Sequence, residues 1–241
     1  MGFLFRKLGY MSNKISIIIP TYNEAVAIAK LITYLQKYAG EKLHEIIVSD
    51  AGSTDETTTI AKQAGATVLI SPQKGRAAQM NYGAANSNGD VLYFVHADSF
   101  PPVNFALDII NAVDDGYDFG RYRTKFDSNK FLLKINAWFT RFNWFICYGG
   151  DQTLFITRTL FEQSGGFKNE LLIMEEYEFA ERLMKQGRYK IFNDAALVSA
   201  RKYEGRSWLK VQLANRKVVK LFKKGTSQEV IVKTYKEMLN K

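Results

Sequence analysis

The chain has 241 residues, of which 46% are hydrophobic, so it can bury a core and is not a disordered segment. Its one cysteine, Cys147, excludes an internal disulfide and a zinc site made of cysteines. Between residues 201 and 241, twelve Lys or Arg stand against three Glu, so this last segment accounts for the whole formal net charge of +9. A basic segment indicates an anionic partner or a solvated helix face.

No stretch of the sequence reaches the roughly 18 consecutive apolar residues of a membrane span. Residues 1–14 form an extension whose apolar part is too short for a signal peptide, and Met11 is an alternative start. We therefore expect a cytoplasmic protein. The sequence shows neither internal repeats nor a linker, which predicts one α/β domain over residues 15–200 with a basic helical segment over 201–241 packed on it.

Strands and helices alternate over the first 100 residues, which predicts a mostly parallel sheet with right-handed connections. The strands are predicted at 15–19, 45–49, 67–70 and 91–95. The run 91–95 is entirely apolar, as in a strand covered on both faces, and should lie at the centre of the sheet.

Local signals mark the helices between these strands. Pro20 should stop the first strand, and Asn23 should cap the helix that follows. The stripe of this helix that faces the sheet contains Ile28, Leu31, Ile32 and Leu35. Ser53 and Glu56 have capping-box spacing for the second helix, and the run 74–81 starts a third helix whose small residues permit close packing.

After Asp98 the strict alternation ends. The predicted elements are a helix to about 113, a strand at 117–126, an amphipathic helix at 130–142, a strand at 153–157, a helix from 174 to 187, a strand near 189–192, and basic helices at about 207–222 and 227–239. In the helix from 174, the buried stripe is expected to contain Tyr177, Ala180, Leu183 and Met184.

Polar residues follow the predicted strands at one edge of the sheet, where open α/β sheets bind their ligands. Lys74, Arg76 and the adjacent helix amino terminus offer the positive charge and backbone donors that a diphosphate needs. Asp50 is a candidate acceptor for the N–H of an imide base edge. Asp98 suits Mg²⁺ or Mn²⁺ shared with a diphosphate, and His96 would assist it or orient the site.

The acidic pair Glu175 and Glu176 lies at the start of a predicted helix. A carboxylate there could take a proton from an attacking hydroxyl and so act as a general base. Acidic residues are also favoured in a first helical turn by the helix dipole, whatever the function. The other candidates have ordinary alternatives as well: caps for Asp50 and Ser53, solvated cations for Lys74 and Arg76, and a satisfied core side chain for His96.

Taken together, these motifs resemble the family 2 glycosyltransferases across about residues 15–200. The matching residues are Pro20-Thr21-Tyr22-Asn23-Glu24, Asp50-Ala51-Gly52-Ser53-Thr54-Asp55, His96-Ala97-Asp98, Gly165-Gly166-Phe167, and Glu175-Glu176 followed by a basic helix. The resemblance implies a GT-A fold, a nucleotide-sugar donor such as a UDP-sugar, a divalent cation (Mg²⁺ or Mn²⁺), and inversion at the anomeric carbon.

The resemblance also implies roles for single residues. Glu176 would be the catalytic base, with Glu175 beside it, and Asp98 would hold the metal. The nucleotide sugar would contact Pro20, Tyr22, Glu24, Asp50, Ser53, Asp55, Lys74, Arg76 and His96. Asp151 and Gln152 would meet the acceptor or the transferred sugar.

Two residues depart from the family pattern. His96 occupies the first position of a motif that is usually a pair of aspartates, which leaves one carboxylate for the metal. Glu176 replaces the aspartate of a Glu-Asp pair, so the base lies on a longer side chain. The runs 75–84, 96–98 and 150–152 are similar to a short soluble branch in which some members glycosylate selenophosphate. That resemblance leaves the acceptor open among small-molecule, phosphate-type and lipid-linked compounds.

Two other functions fit the same residues: a nucleotidyltransferase acting on a sugar phosphate, and a non-catalytic protein that binds nucleotide sugars. For the tail, we favour an electrostatic surface over a nucleic-acid-binding element. Its apolar residues would lie on anionic lipid at the inner face of the membrane or dock on the domain itself: Trp208, Val211, Val218 and Phe222. Arg201 and Arg206 would instead reach the donor diphosphate.

Overall fold

The computed structural model describes residues 13–145, 148 and 152–240. The predictions for Met11, Cys147 and Asp151 lie outside these residues. The strands are β1 (Ile15–Thr21), β2 (Leu43–Asp50), β3 (Thr67–Ile70), β4 (Val91–Phe94), β5 (Ser99–Phe100), β6 (Phe119–Phe126), β7 (Leu154–Thr157) and β8 (Tyr189–Val198). The helices are α1 (Ile28–Ala39), α2 (Thr57–Gln63), α3 (Arg76–Ala85), α4 (Phe105–Asp114), α5 (Phe131–Phe139), α6 (Arg158–Ser164), α7 (Glu175–Leu183), α8 (Trp208–Lys223) and α9 (Gln228–Asn240).

The described strands form one mixed sheet in the order β3-β2-β1-β4-β7-β6-β8-β5. β1 pairs in parallel with β2 and β4, and β2 pairs in parallel with β3. β7 runs antiparallel to β4 and β6, whereas β6 and β8 are parallel and β5 is antiparallel to β8. The predicted α/β class with a mostly parallel sheet is confirmed, and β4 lies inside the sheet as expected.

Both faces of β1 are buried because its side chains alternate between two apolar layers. Ile15, Ile17 and Ile19 pack in the layer that includes α1 and α4, whereas Ile18 packs in the layer that includes α3, α6 and α7. The predicted stripe of α1 is buried in full: Ile28, Leu31, Ile32 and Leu35. Helices on both faces thus leave the carboxyl ends of β1, β2 and β4 to form one edge.

Some element boundaries differ from the prediction. Pro20 does not stop β1, which continues to Thr21; β4 pairs with β1 only as far as Ile18, so a residue without an N–H is tolerated beyond that point. β8 is longer than expected because it pairs along nearly all of β6. Helix α6 was not predicted. It follows β7 directly, and Thr157 caps it by accepting the N–H of Leu160.

The buried stripe of α7 also differs from the prediction. Its buried residues are Glu175, Phe179 and Leu183, whereas Tyr177 and Met184 are only partly buried. The buried face is the one that carries Phe179, whose ring centroid lies 4.2 Å from that of Phe167 in the Gly-Gly-Phe turn. Sequence periodicity alone could not show where that turn would place its aromatic ring.

The basic tail packs against the rest of the protein. Val211 of α8 is buried with Leu133 and Tyr203, and Val218 is buried with Met174 and with Ile231 of α9. The two remaining apolar residues of the predicted stripe, Trp208 and Phe222, are partly buried in the same clusters. Of the two alternatives for this stripe, the structure shows docking on the domain. Within the described residues, every helix falls short of the length and apolarity needed to cross a lipid bilayer.

Candidate active site

The loop after β2 is built around the carboxylate of Asp50. Oδ1 accepts the backbone N–H of Gly52 (2.9 Å) and Ser53 (2.6 Å), and Oδ2 accepts the hydroxyls of Thr21 (2.8 Å) and Ser53 (2.6 Å). Gly52 has a φ of 83°, a conformation that favours glycine and lets the chain turn back onto the carboxylate. Asp50 is fully buried, so in this conformation it shapes the loop. This role differs from the predicted one as acceptor for a nucleobase N–H.

The loop after β1 is tied to the same turn. The side-chain oxygen of Asn23 accepts the N–H of Thr54 (2.9 Å), and the N–H of Asn23 bonds to Ser53 Oγ (2.8 Å). Helices α1 and α2 are instead preceded by Ala27 and Glu56, neither of which makes a side-chain cap. Both cap predictions, for Asn23 and Ser53, are therefore wrong, because these side chains join two loops to each other.

Two more candidates for the nucleotide sugar lie on these loops. Tyr22 is half exposed, so its ring is accessible to a ligand. Asp55 is exposed and accepts hydrogen bonds from Thr57 and from the N–H of Ala25. The Thr57 hydroxyl holds the pKa of the Asp55 carboxyl below its usual range, so this side chain stays ionised.

Arg201 joins two carboxylates that follow different strands. Its Nη2 lies 2.7 Å from Oε1 of Glu24 and 3.2 Å from Oδ2 of Asp98, and its Nη1 donates to Oε2 of Glu24 at 3.1 Å. The hydrogen bonds to Glu24 raise the pKa of Arg201. A single cationic group held between two carboxylates marks a place where positive charge is stabilised. Sequence reasoning placed Arg201 near the diphosphate but missed its contact with these carboxylates.

The same carboxylates suit a hard divalent cation, because Mg²⁺ and Mn²⁺ prefer oxygen ligands. The described residues contain no group of three or more His, Cys, Asp or Glu side chains that could hold a metal. A cation at Asp98 and Glu24 would therefore depend on additional oxygens, such as those of a diphosphate.

His96 contacts the predicted base. Its Nε2 lies 2.7 Å from Oε1 of Glu176, and each side chain is 12% exposed. The contact joins the end of β4 to the first turn of α7. An imidazole can donate a hydrogen bond to Glu176, whereas a second carboxylate at position 96 would repel it. The histidine that replaces an aspartate of the family pattern thus has a hydrogen-bonding partner, Glu176, in this structure.

Glu175 is directed to a different partner. Its Oε1 lies 2.7 Å from Nε of Arg76 on α3, and the Glu175 side chain is 1% exposed. Burial raises the pKa of Glu175, although the neighbouring Arg76 opposes the shift. Met174, just before α7, has a φ of 71°, a conformation that is costly for a residue with a side chain and that is enriched at functional sites.

Two amide side chains of α3 hold the loops around the site. Gln79 donates to the carbonyls of Thr21 and Ser49, both at 2.7 Å, at the carboxyl ends of β1 and β2. Asn81 donates to the carbonyl of Phe167 (2.7 Å) and accepts its N–H (2.9 Å), which fixes the Gly-Gly-Phe turn. Sequence reasoning included both in the run 75–84 without a role. The sequence signal for such a role is an amide on a helix face that packs against the sheet, because a buried amide needs hydrogen-bond partners.

Three further candidate site residues lie away from the carboxylates of Glu24, Asp98, Glu175 and Glu176. Lys74 is exposed before α3, and Arg206 donates to the carbonyl of Lys202 at 3.4 Å. Neither forms an ion pair with these carboxylates within the residues that the structure describes. Gln152 is buried and lines a cavity of about 380 Å³ between α5, α7, α8 and α9. Arg76, Met174 and Tyr177 also line this cavity, so it lies next to the two glutamates.

Comparison with known proteins places this geometry in context. A family model described as Glycosyl transferase family 2 matches residues 16–168. A glucosyl-3-phosphoglycerate synthase of Mycolicibacterium smegmatis is 31% identical over 96 residues, which cover 36% of this chain and 32% of that protein. The probable glycosyltransferase YdaM of Bacillus subtilis is 28% identical over 211 residues, covering 76% of this chain and 50% of that protein. The chain thus spans half or less of these two relatives.

Solved structures share the fold. The mannosyltransferase PcManGT from Pyrobaculum calidifontis, in complex with GDP-Man and Mn²⁺, has a TM-score of 0.63 at 18% identity and covers 94% of this chain and 70% of its own. TarS 1-349 of S. aureus in complex with UDP has a TM-score of 0.64 at 18% identity, covering 78% and 60%. These likenesses confirm the predicted GT-A fold.

Proposed function

This chain belongs to glycosyl transferase family 2, and we propose that it moves a sugar from a nucleotide-diphosphate donor, with a UDP-sugar as the first candidate, to an acceptor with inversion at the anomeric carbon. The observation that carries the proposal is the meeting of Asp98 and the His96–Glu176 pair at one sheet edge. Asp98 would supply negative charge for a cation, and Glu176 of the pair would supply a base. Both would act on the transition state.

Asp98, with Glu24 close by, would hold Mg²⁺ or Mn²⁺ together with oxygens of the donor diphosphate. When bound, the cation neutralises the charge that develops on the leaving diphosphate. The structure of PcManGT in complex with GDP-Man and Mn²⁺ supports a divalent cation beside the donor without choosing between Mg²⁺ and Mn²⁺ for this chain. Arg201, which contacts both carboxylates, would meet the diphosphate as well.

Glu176 is the group that would take the proton from an acceptor hydroxyl. The oxygen then forms its bond to the anomeric carbon while the bond from that carbon to the diphosphate oxygen breaks, and the diphosphate leaves with the electron pair. His96 orients the carboxylate through its 2.7 Å contact and is a positioning residue in this scheme. Glu175 and Arg76 would hold the first turn of α7 in place behind it.

The cavity beside α7 is where we place the acceptor. Its cationic lining residues are Arg76 and Lys202, and it is also lined by amides, including Gln152, and by aromatic rings, including Tyr203. Cations next to aromatic surface suit a molecule with an anionic group beside an apolar part. Small-molecule, phosphate-type and lipid-linked acceptors can all meet that description.

Donor binding can be tested by the shift in thermal unfolding midpoint with a panel of nucleotide sugars, with and without Mn²⁺. UDP-sugars should raise the midpoint most when the cation is present, because ligands that bind only the folded state stabilise it. Asp98→Ala should lose the Mn²⁺-dependent part of the shift, whereas Asp115→Ala, at an exposed aspartate after α4, should keep it. A response to UTP with sugar phosphate, accompanied by release of diphosphate, would show a nucleotidyltransferase instead.

Replacing Glu176 with Gln should lower turnover by a factor of about 10² to 10⁴, the usual contribution of a positioned general base. Donor affinity should change little, since the carboxylate acts on the acceptor. Turnover would be measured with a hydroxyl acceptor identified by mass spectrometry of products from a metabolite extract. Glu181→Gln, at an exposed position of the same helix, is the matched control. Equal turnover in both variants would remove Glu176 from the role of base.

A further inference from the structure

Helix α5 turns large apolar side chains toward solvent. Phe131 is 74% exposed, Trp138 is 47% exposed, and Trp144, just beyond the helix, is 51% exposed. Leu132 and Phe139 add to the same stretch. We call these five residues the α5 surface. Contiguous exposed apolar side chains on a folded protein mark sites of protein or membrane interaction.

The helix is oriented by one buried residue. Leu133 packs against Tyr203 and Val211, so the opposite side of the helix must face outward. Phe131, Lys134 and Trp138 follow one another at i, i+3 and i+7, the spacing that places side chains on one helix face. The apolar residues of this helix therefore do not all fit against the domain, and the outward ones are the largest.

Three rings of the α5 surface, Trp138, Phe139 and Trp144, pack on one another and on Phe142. Trp138 and Trp144 each contact Phe142, with ring centroids 5.0 Å and 4.6 Å apart, and the Phe142 and Trp144 rings are stacked. Buried Arg121 donates to the carbonyls of Thr140 and Phe142, which anchors the end of the helix. A surface ordered before binding loses little conformational entropy on contact.

The segment that contains the α5 surface is positively charged. Residues 128–145 contain Lys130, Lys134 and Arg141 and no acidic residue. The three cations are exposed, and the Arg141 guanidinium lies 4.7 Å from the centre of the Trp138 ring. Tryptophan rings beside Lys and Arg are characteristic of segments that lie in the interface between lipid headgroups and water.

From this combination we infer that the α5 surface docks on a bilayer containing anionic phospholipid. The rings enter the headgroup region, and the three cations lie against the negative surface potential, each contributing to affinity. A second copy of the chain is a poorer occupant, because a two-fold contact would bring like charges together. The tail is a poorer docking element, because its stripe with Trp208 and Phe222 packs on the protein and its exposed large apolar residues are aliphatic: Leu209, Leu213 and Val230.

The experiment is sedimentation of the full chain with vesicles of phosphatidylcholine alone and of phosphatidylcholine mixed with phosphatidylglycerol. The protein should sediment with the mixed vesicles only. Trp138→Ser together with Trp144→Ser should weaken binding by at least about tenfold, since each ring buries apolar area in the interface. Lys130→Glu together with Lys134→Glu should weaken it through charge alone, which covers the case in which loss of the rings disturbs the fold.

Two matched controls identify the surface responsible. Leu107→Ser replaces an exposed leucine of α4, and Leu209→Ser together with Leu213→Ser replaces exposed leucines of α8. Both control variants should bind as the unchanged protein does. Equal binding to both vesicles, no binding, or loss of binding only in the α8 variant would overturn the inference. A dimer in light scattering that the Trp138 and Trp144 substitutions abolish would identify a second copy as the occupant. Donor-induced thermal shifts are independent of all these outcomes.

Discussion

The two glutamates that open α7 have different surroundings although they are adjacent. Successive residues of a helix point about 100° apart, so neighbours in sequence face different partners. Glu175 is buried against Arg76, whereas Glu176 meets His96 at the end of β4. The sequence could place both at a helix start. It could not show which one would be buried, because that depends on the elements packed around the helix.

Replacing Glu175 with Gln should remove a pH dependence of stability. Burial raises the folded-state pKa of this carboxyl, so the folded protein keeps the proton at pH values where the unfolded chain has released it. The wild-type free energy of unfolding should therefore fall as the pH rises from the unfolded-state pKa, about 4.3, toward the raised folded-state pKa. Urea unfolding at several pH values should show this fall in the wild-type protein and in Glu181→Gln, but not in E175Q. An equal fall in E175Q would contradict the assignment.

Among the elements, the buried strands were the easiest to predict. β3 matches its predicted bounds, and β1, β2 and β4 differ from theirs by a few residues. Short apolar runs between polar turns are typical of buried strands, so these elements could be predicted from the sequence. The loops after β1 and β2 were misread. Asn23 and Ser53 have the side chains of helix caps, yet the Asn23 side chain bonds to the loop after β2, and the Ser53 hydroxyl bonds to Asp50 and to the loop after β1. A cap and a loop contact use the same hydrogen bonds, so local sequence could not separate them.

The small residues of α3 have the consequence that the sequence suggested. Gly83 lies so close to β1 that a Cβ added to it would stand 2.6 Å from Cγ2 of Ile18. Gly83→Ala should therefore lower the free energy of unfolding by roughly 1–3 kcal/mol through overpacking, although Ala alone favours a helix over Gly by about 1 kcal/mol. Thermal and urea unfolding would measure the change. Ala85→Ser, which adds one atom at an exposed position of the same helix, should change stability far less, and a stabilised G83A protein would contradict the close packing.

At the scale of the whole molecule, the tail is part of the core. Val211 is fully buried between α5 and the segment before α8, so Val211→Ala should cost roughly 1–3 kcal/mol of unfolding free energy. Val230→Ala, at a half-exposed position of α9, is the control and should be nearly neutral. If residues 15–200 and the tail form one cooperative unit, both variants should unfold in a single transition. A separate early transition in V211A would show that the tail unfolds alone.

Contacts between side chains that are far apart in the sequence are the part of the site that could not be predicted from it. The order of motifs predicted that residues after β1, β2 and β4 would meet, because parallel strands end at one edge. No pattern showed that Arg201 would reach Glu24 and Asp98, or that Arg121 would be buried at the end of α5. Such contacts depend on how the last helices fold back over the sheet.

Glu24 and Arg201 are separated by 177 positions and nevertheless share an ion pair. During translation, the early strands leave the ribosome well before this arginine does. Until Arg201 emerges, Glu24 and Asp98 would lack the guanidinium that they share in the finished protein. A nascent chain therefore acquires this ion pair only after residue 201 has been synthesised, and a product terminated before that residue would contain the strand sequences while lacking the counter-charge.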